Sequence, residues 1–294
     1  VTVRGGTAAR VTSALGAAAG VVTLAGMIAT PLATRGGATR RVLSSVVVTG
    51  LFTTTASRVA NRWGPARAGS AAVAVAAATA LVERVGTRTG LPFGRYHYTP
   101  ALRPQVGGVP VIVPLAWFAM AVPAREAAVG ALAPLERRTA TATATATDPA
   151  PAGPGLATRA RRVVLGAAAL TAWDLFLDPQ MVGEGYWRWA RRGRYRGIPL
   201  SNYLGWFVTA VGVMAALELL VPAEDVADPV LEAEYSTMAV METLGFAAFF
   251  RDPLVAAVGG AGMLPIAAAA ACGRWRDRHW QVRHGHGPGP GAPR

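Results

Sequence analysis

Residues 172–207 read AWDLFLDPQMVGEGYWRWARRGRYRGIPLSNYLGWF. Two acids, Asp174 and Asp178, stand at the end of an apolar run that begins at residue 163. A short segment dense in Trp and Arg follows, and a second apolar run opens at residue 204. Acids closing an apolar run, then Trp and Arg anchors, mark a membrane boundary rather than a soluble core. This stretch is the expected active region of a chain that crosses a membrane.

Composition agrees. Of the 294 residues, 52% are hydrophobic and only 15% are charged, against about 25% charged in a soluble domain. Mean hydropathy is +0.33. The net charge of +13 comes from Arg alone, with no Lys. Arg clusters between apolar runs fit membrane anchors better than nucleic-acid contacts, so no nucleic-acid partner is expected. A single cysteine, Cys272, excludes a disulfide within this chain and a Cys-based zinc site.

Working outward, apolar runs occupy residues 11–33, 42–60, 68–82, 106–121, 163–177, 204–221, 235–250 and 254–271. At about 20 residues per crossing, they predict an all-α, polytopic transmembrane helix bundle with about seven or eight spanning helices. Residues 1–272 are expected to form one domain. The first run, with Arg4 and Arg10 before it, reads as a retained helix rather than a cleaved signal. Residues 83–105 are expected to form a polar, aromatic insert, because Gly and Pro interrupt a helix there. Pro110 and Pro114 should kink the fourth run. The apolar piece at 127–135 is too short to cross unless it continues that run. The Thr/Ala/Pro-rich stretch 139–155 reads as a flexible linker, and the basic tail 273–294 as disordered. The Arg-rich segment 188–196 belongs in the cytoplasm by the positive-inside rule, which puts the acidic segment 224–234 outside. Two more crossings would leave the basic tail outside, so a re-entrant late run or a miscounted early one is expected.

Asp174 and Asp178 are four residues apart and share one face of a helix. An acid within a membrane is a functional hypothesis by default. A general acid needs a carboxyl that keeps its proton, and neighbouring carboxyls in apolar surroundings are one way to provide it. The plainer reading of Asp178, which precedes Pro179, is a helix end paired with Arg188 or Arg191. Glu83 leads into the segment FGRY at 93–96 and is the most interesting of the remaining acids; Glu218 and Glu242 should pair with Arg of adjacent helices. Trp117, Trp173 and Trp206 suit a wall that steadies a carbocation. Trp187 and Trp189 read as a membrane-interface belt. There is no HExxH, no Walker loop, no GxSxG and no GxGxxG after a strand, so no cofactor and no metal is expected. The DxxxD spacing also suits a membrane prenyltransferase. That reaction needs two such motifs facing one cavity, and the other acid cluster, 224–234, is expected on the opposite side.

Several segments together carry a family resemblance. WDLFLDP at 173–179, GYWRW at 185–189 and GIPLSNYLGW at 197–206 resemble the integral-membrane carotenoid biosynthesis proteins, of the bisanhydrobacterioruberin hydratase and carotenoid 1′-hydratase type. Glu83, LPFGRYHYTPAL at 91–102 and GVPVIVPLAWFAM at 108–120 extend the likeness in order. The resemblance implies a cofactor-independent hydration: water adds across the terminal C=C (ψ-end) of an acyclic carotenoid and gives a tertiary alcohol. Such an olefin must be protonated by a dry acid, and the tertiary cation must be steadied and met by water. Asp174 or Asp178 is the candidate acid, and Glu83 the group that positions water or takes its proton. Tyr96, Trp117, Trp173 and Trp206 are expected to line the cation site, with Asn202 bonded to the water or the new hydroxyl. The implied partners are a long-chain carotenoid, the lipid bilayer and other membrane enzymes of the same pathway. The implied location is the bacterial plasma membrane. A prenyl-adding elongase, a cyclase, a non-catalytic carotenoid-binding protein and a transporter are the rival readings.

Overall fold

The computed structural model describes residues 6–143, 154–222, 224 and 226–283. Helix α1, Thr7–Ala29, runs into a 3₁₀ turn at Thr30–Leu32, and α2 spans Ala38–Trp63. Gly64 alone separates α2 from α3, Pro65–Thr89; its φ of 92° suits glycine, and Pro65 opens the next helix. Short strands β1 (Tyr96–Tyr98), β2 (Gln105–Val106) and β3 (Val109–Pro110) lead to α4, Ile112–Thr143. Helix α5 is Leu156–Gly183, strand β4 is Trp187–Trp189, and α6 is Leu200–Leu220. Helix α7, Pro229–Leu244, passes into a π-helical turn at Gly245–Phe249, and α8 is Pro253–Arg283.

The molecule is an all-α bundle. Among the described residues, six helices, α1, α2, α3, α4, α6 and α8, are long and apolar enough to cross a membrane. Helix α5 carries three Arg in its first turns and two acids near its end, and α7 has only 16 residues. Helix α4 is the axis. It packs on α2, α3, α5, α6, α7 and α8, and its buried Ala119, Ala121, Ala124, Ala127 and Ala128 let those helices come close. The outer helices turn Val11, Val21, Val73, Leu81, Leu204 and Leu219 outward, as lipid-facing surfaces do.

Several boundaries differ from those expected. Helix α3 continues to Thr89, so Glu83 lies on a helix and not in a loop. Nothing before Gly90 breaks the helix, and the Gly86 gap is filled from outside, where a Cβ would sit 2.9 Å from the Phe93 ring. Pro114 lies in the first turn of α4, where the missing N–H has no partner to lose, and Pro110 lies in β3. Neither interrupts α4, which takes in 127–135 and reaches Thr143. Residues 144–153 of the expected linker lie outside the described residues. Helix α8 continues past Gly273 to Arg283, so the first half of the basic tail is helical; residues 284–294 lie outside the described residues.

Consecutive helices run up and down. The 30–37, 90–111, 184–199 and 250–252 connections gather at one end, as the Arg40–Glu184 and Arg196–Asp252 ion pairs show. The 221–228 connection, the start of α1 and the end of α8 lie at the other, tied by Asn61 to Ser13 and by Arg274 to Glu232. The basic end of α8 and the acidic loop lie at that same end, where arginines and carboxylates pair: Arg58 and Arg62 with Asp228, and Arg162 with Glu136.

Candidate functional site

The site is built at the end that holds the strands. β1 pairs antiparallel with β4, Tyr96 opposite Trp189 and Tyr98 opposite Trp187. Side chains two apart on a strand share a face, so Tyr96 and Tyr98 both reach α3. The turn before β1 packs Pro92 and Phe93 against Gly205 of α6, where a Cβ would stand 2.7 Å from the Phe93 ring. This contact joins the segments 91–102 and 197–206, which are far apart in sequence.

Glu83 is buried and accepts three hydrogen bonds. Tyr98 donates to Oε2 at 2.8 Å, Tyr96 donates to the same oxygen, and the Trp117 indole donates to Oε1 at 3.3 Å. Burial first, then the Glu83 carboxylate, push both tyrosine hydroxyls above their ordinary range. Both therefore keep their protons and serve as donors.

Asp174 and Asp178 form a second cluster. Both are buried on one face of α5. The Asn202 amide, in the first turn of α6, donates to Asp174 Oδ2 at 2.8 Å and to Asp178 Oδ2 at 2.6 Å. The Trp187 indole donates to Asp178 Oδ1 at 2.6 Å. Oδ1 of Asp174 is buried without a hydrogen-bond partner among the described residues. The helix runs on past Pro179 to Gly183, and Asp178 meets Asn202 and Trp187 in place of Arg188 or Arg191.

The aromatic residues close the centre. Trp117 and Trp206 stack with ring centroids 3.9 Å apart, and Trp173 stands edge-on to Trp206 at 6.3 Å. These three rings, with Glu83, Tyr98 and Trp187, line one wall of an apolar cavity of about 280 Å³. The cavity runs between α2, α4, α5 and α7 toward the 3₁₀ turn and the π-helical turn. Ile28, Leu32, Leu244 and Phe249 line it and are exposed, so it opens sideways there, between α1 and the end of α7.

The expected site residues thus fall into one neighbourhood with two layers. Glu83, Trp117, Trp173 and Trp206 face the cavity, whereas Asp174, Asp178, Tyr96 and Asn202 lie behind its wall. Sequence reasoning missed Tyr98, a donor to Glu83, and Trp187, which looked like a belt residue but bonds Asp178. The i, i+2 spacing of Tyr96 and Tyr98 after Glu83 was the available signal for the first. Glu242 was expected to pair with an arginine; it lines the cavity and has no ion pair among the described residues.

The other acid cluster is at the far end of the bundle. Asp228 caps α7, accepting from Val230 and Leu231 N–H, and is bound by Arg58 at 2.8 Å. Burial alone would raise the Asp228 carboxyl, but the Arg58 guanidinium and the two N–H groups outweigh it and hold it below the usual carboxylate range. Glu126 bonds Arg125 and the Asp228 N–H. Asp228 and Glu126 are thus committed to arginines, and among the described residues neither lines the cavity that Glu83 faces. Asp225 lies outside the described residues. Among the described residues, no three His, Cys, Asp or Glu side chains gather as a metal site would require.

A family profile described as carotenoid biosynthesis protein matches residues 38–273, from α2 to α8. Bisanhydrobacterioruberin hydratase of Haloarcula japonica is 28% identical to this chain over 144 residues. That stretch is 49% of this chain and 42% of the relative, so the chain spans less than half the length of the curated protein it matches. No solved structure gives a significant match. The profile takes in Glu83, the aromatic wall and the Asp pair alike, and the chain belongs to the carotenoid biosynthesis protein family.

Proposed function

We propose that this membrane protein is a carotenoid hydratase, which adds water to the terminal C=C of an acyclic carotenoid without a cofactor. The observation that carries the reading is the cavity. It is apolar, opens sideways toward lipid, and ends at a carboxyl set among stacked tryptophans. A long hydrocarbon end fits such a space, and a carboxyl there can protonate its terminal alkene. The proton adds to the less substituted carbon, leaving the charge on the carbon that bears two methyls. Trp117, Trp173 and Trp206 present aromatic surface to that charge. Water then forms the C–O bond, and its proton passes to Glu83, whose carboxylate is held in place by Tyr96, Tyr98 and Trp117. The net change consumes one alkene and one water and needs neither an oxidant nor a reductant.

In this reading the Asp174–Asn202–Asp178 cluster works from behind the wall, fixing α5 against α6 and aiming Trp187. The hydratase name of the Haloarcula relative supports the reaction type, and the plasma membrane of a bacterial cell is the location we assign. The test is expression in a host that accumulates an acyclic carotenoid with free ψ-ends, followed by mass analysis of the pigment. A gain of one or two waters, carrying label from heavy-oxygen water, is expected. Unchanged pigment beside verified membrane protein would overturn the reading, and a gain of a five-carbon unit would replace it with prenyl transfer.

A further inference from the structure

Hydration needs an acid as well as a base, and the two act on adjacent carbons. Glu83 already accepts three hydrogen bonds and suits the base. Asp174 and Asp178, the acids that the sequence brings forward, do not line the cavity. Among the described residues one other carboxyl does, that of Glu242, two residues before the end of α7. Met238, one turn earlier on the same helix, and Phe249 and Phe250 beyond it line the same space.

Glu242 makes no hydrogen bond or ion pair among the described residues. The nearby hydroxyls of Ser44 and Ser45, which also line the cavity, donate back to the carbonyls of Arg40 and Arg41. A carboxyl among hydrocarbon side chains with no donor costs free energy and returns none to the fold. A second observation marks the same place: the π-helical turn begins at Gly245, directly after α7 ends. Such turns widen a helix locally and recur at functional sites.

We propose that Glu242 is the catalytic acid of the cavity, resting on the hydratase reading given above. The alkene π pair takes the Glu242 proton to form the new C–H bond, leaving a carboxylate and the tertiary cation. Water forms the C–O bond and gives its proton to Glu83. Exchange with water after product leaves returns a proton to Glu242 and removes one from Glu83, so the cycle balances.

The test compares wild type, Glu242→Gln and Glu242→Asp in the same carotenoid-producing host and as purified protein in detergent. Glu242→Gln should hydrate at least about 100-fold more slowly, the scale of a lost general acid. It should accumulate normally, keep its thermal midpoint and co-purify with carotenoid, because Glu242 makes no bond that an amide would lose. Glu242→Asp should retain measurable activity. Wild-type rates in Glu242→Gln, beside an active wild type, would overturn this assignment alone. A Glu242→Gln protein that fails to accumulate or loses its pigment would also overturn it, showing a structural or binding role. A wild type that adds no water would remove the hydratase reading together with this one.

Discussion

Replacing Glu83 separates chemistry from folding, provided the replacement is glutamine. Both tyrosine hydroxyls meet Oε2 and the Trp117 indole meets Oε1. In Glu83→Gln the amide oxygen takes the Trp117 side, and the NH₂ donates to Tyr96 and Tyr98, whose hydroxyls rotate to accept. All three contacts survive, with charge-assisted bonds becoming neutral ones at a cost of about 1 kcal/mol each or less. Alanine would instead orphan three buried donors at about 1–3 kcal/mol each, about 3–9 kcal/mol in all, which rivals the whole stability of a domain. An alanine variant could therefore lose activity merely by failing to fold. The rate effect of Glu83→Gln should be about 10²–10⁴-fold, or about 2.7–5.4 kcal/mol on the barrier. The assay is hydrated pigment formed per unit of membrane protein over time, beside a thermal scan of the detergent-solubilised protein. A glutamine variant of normal abundance that hydrates at the wild-type rate would refute the role of Glu83.

Other outcomes follow from the same geometry. Trp206→Leu removes the partner of Trp117 at 3.9 Å and the edge contact to Trp173; a lost desolvated cation–π contact of about 2 kcal/mol predicts about a 30-fold slower hydration, with Trp206→Phe milder, read from product accumulation. Asn202→Ala leaves Asp174 and Asp178 facing each other without the amide that bridges them; losing two buried bonds to carboxyls at about 1.5–3 kcal/mol each should lower the thermal midpoint more than any single tryptophan change. At the far end, Asp228→Asn keeps an acceptor for the α7 cap and deletes only the charge facing Arg58 and Arg62. Because the folded Asp228 carboxyl lies below its unfolded value, its stabilisation is complete above about pH 4 and is lost as pH falls further through the folded value. The gap in thermal midpoint between wild type and variant should be full at pH 7 and shrink below about pH 4.

The motif strings are segments that meet in space: 91–102 packs on 197–206 through Gly205, and 185–189 pairs with 96–98. The layering was not legible. A four-residue spacing puts Asp174 and Asp178 on one face of α5, but periodicity does not say whether that face meets a cavity or the next helix. Here it meets α6, through Asn202. Trp187 resembled a belt residue because hydropathy reports depth in a membrane and is blind to an indole aimed at a buried carboxyl. The run of prolines and glycines around 90–110 drew the insert boundary too early, since α3 persists until the left-handed Gly90 stops it.

The sideways mouth between the 3₁₀ turn and the π-helical turn lies near one end of the bundle. Under the hydratase reading proposed above, a pigment with two equivalent termini that reaches across the bilayer would present only one of them to this cavity at a time. After the first addition the molecule would have to leave, reverse its orientation in the lipid and return before its second terminus reacted. Such an enzyme would be distributive: the singly hydrated pigment would build up early, and the final balance between one-ended and two-ended products would follow how fast the pigment turns over in the membrane as much as how fast it reacts.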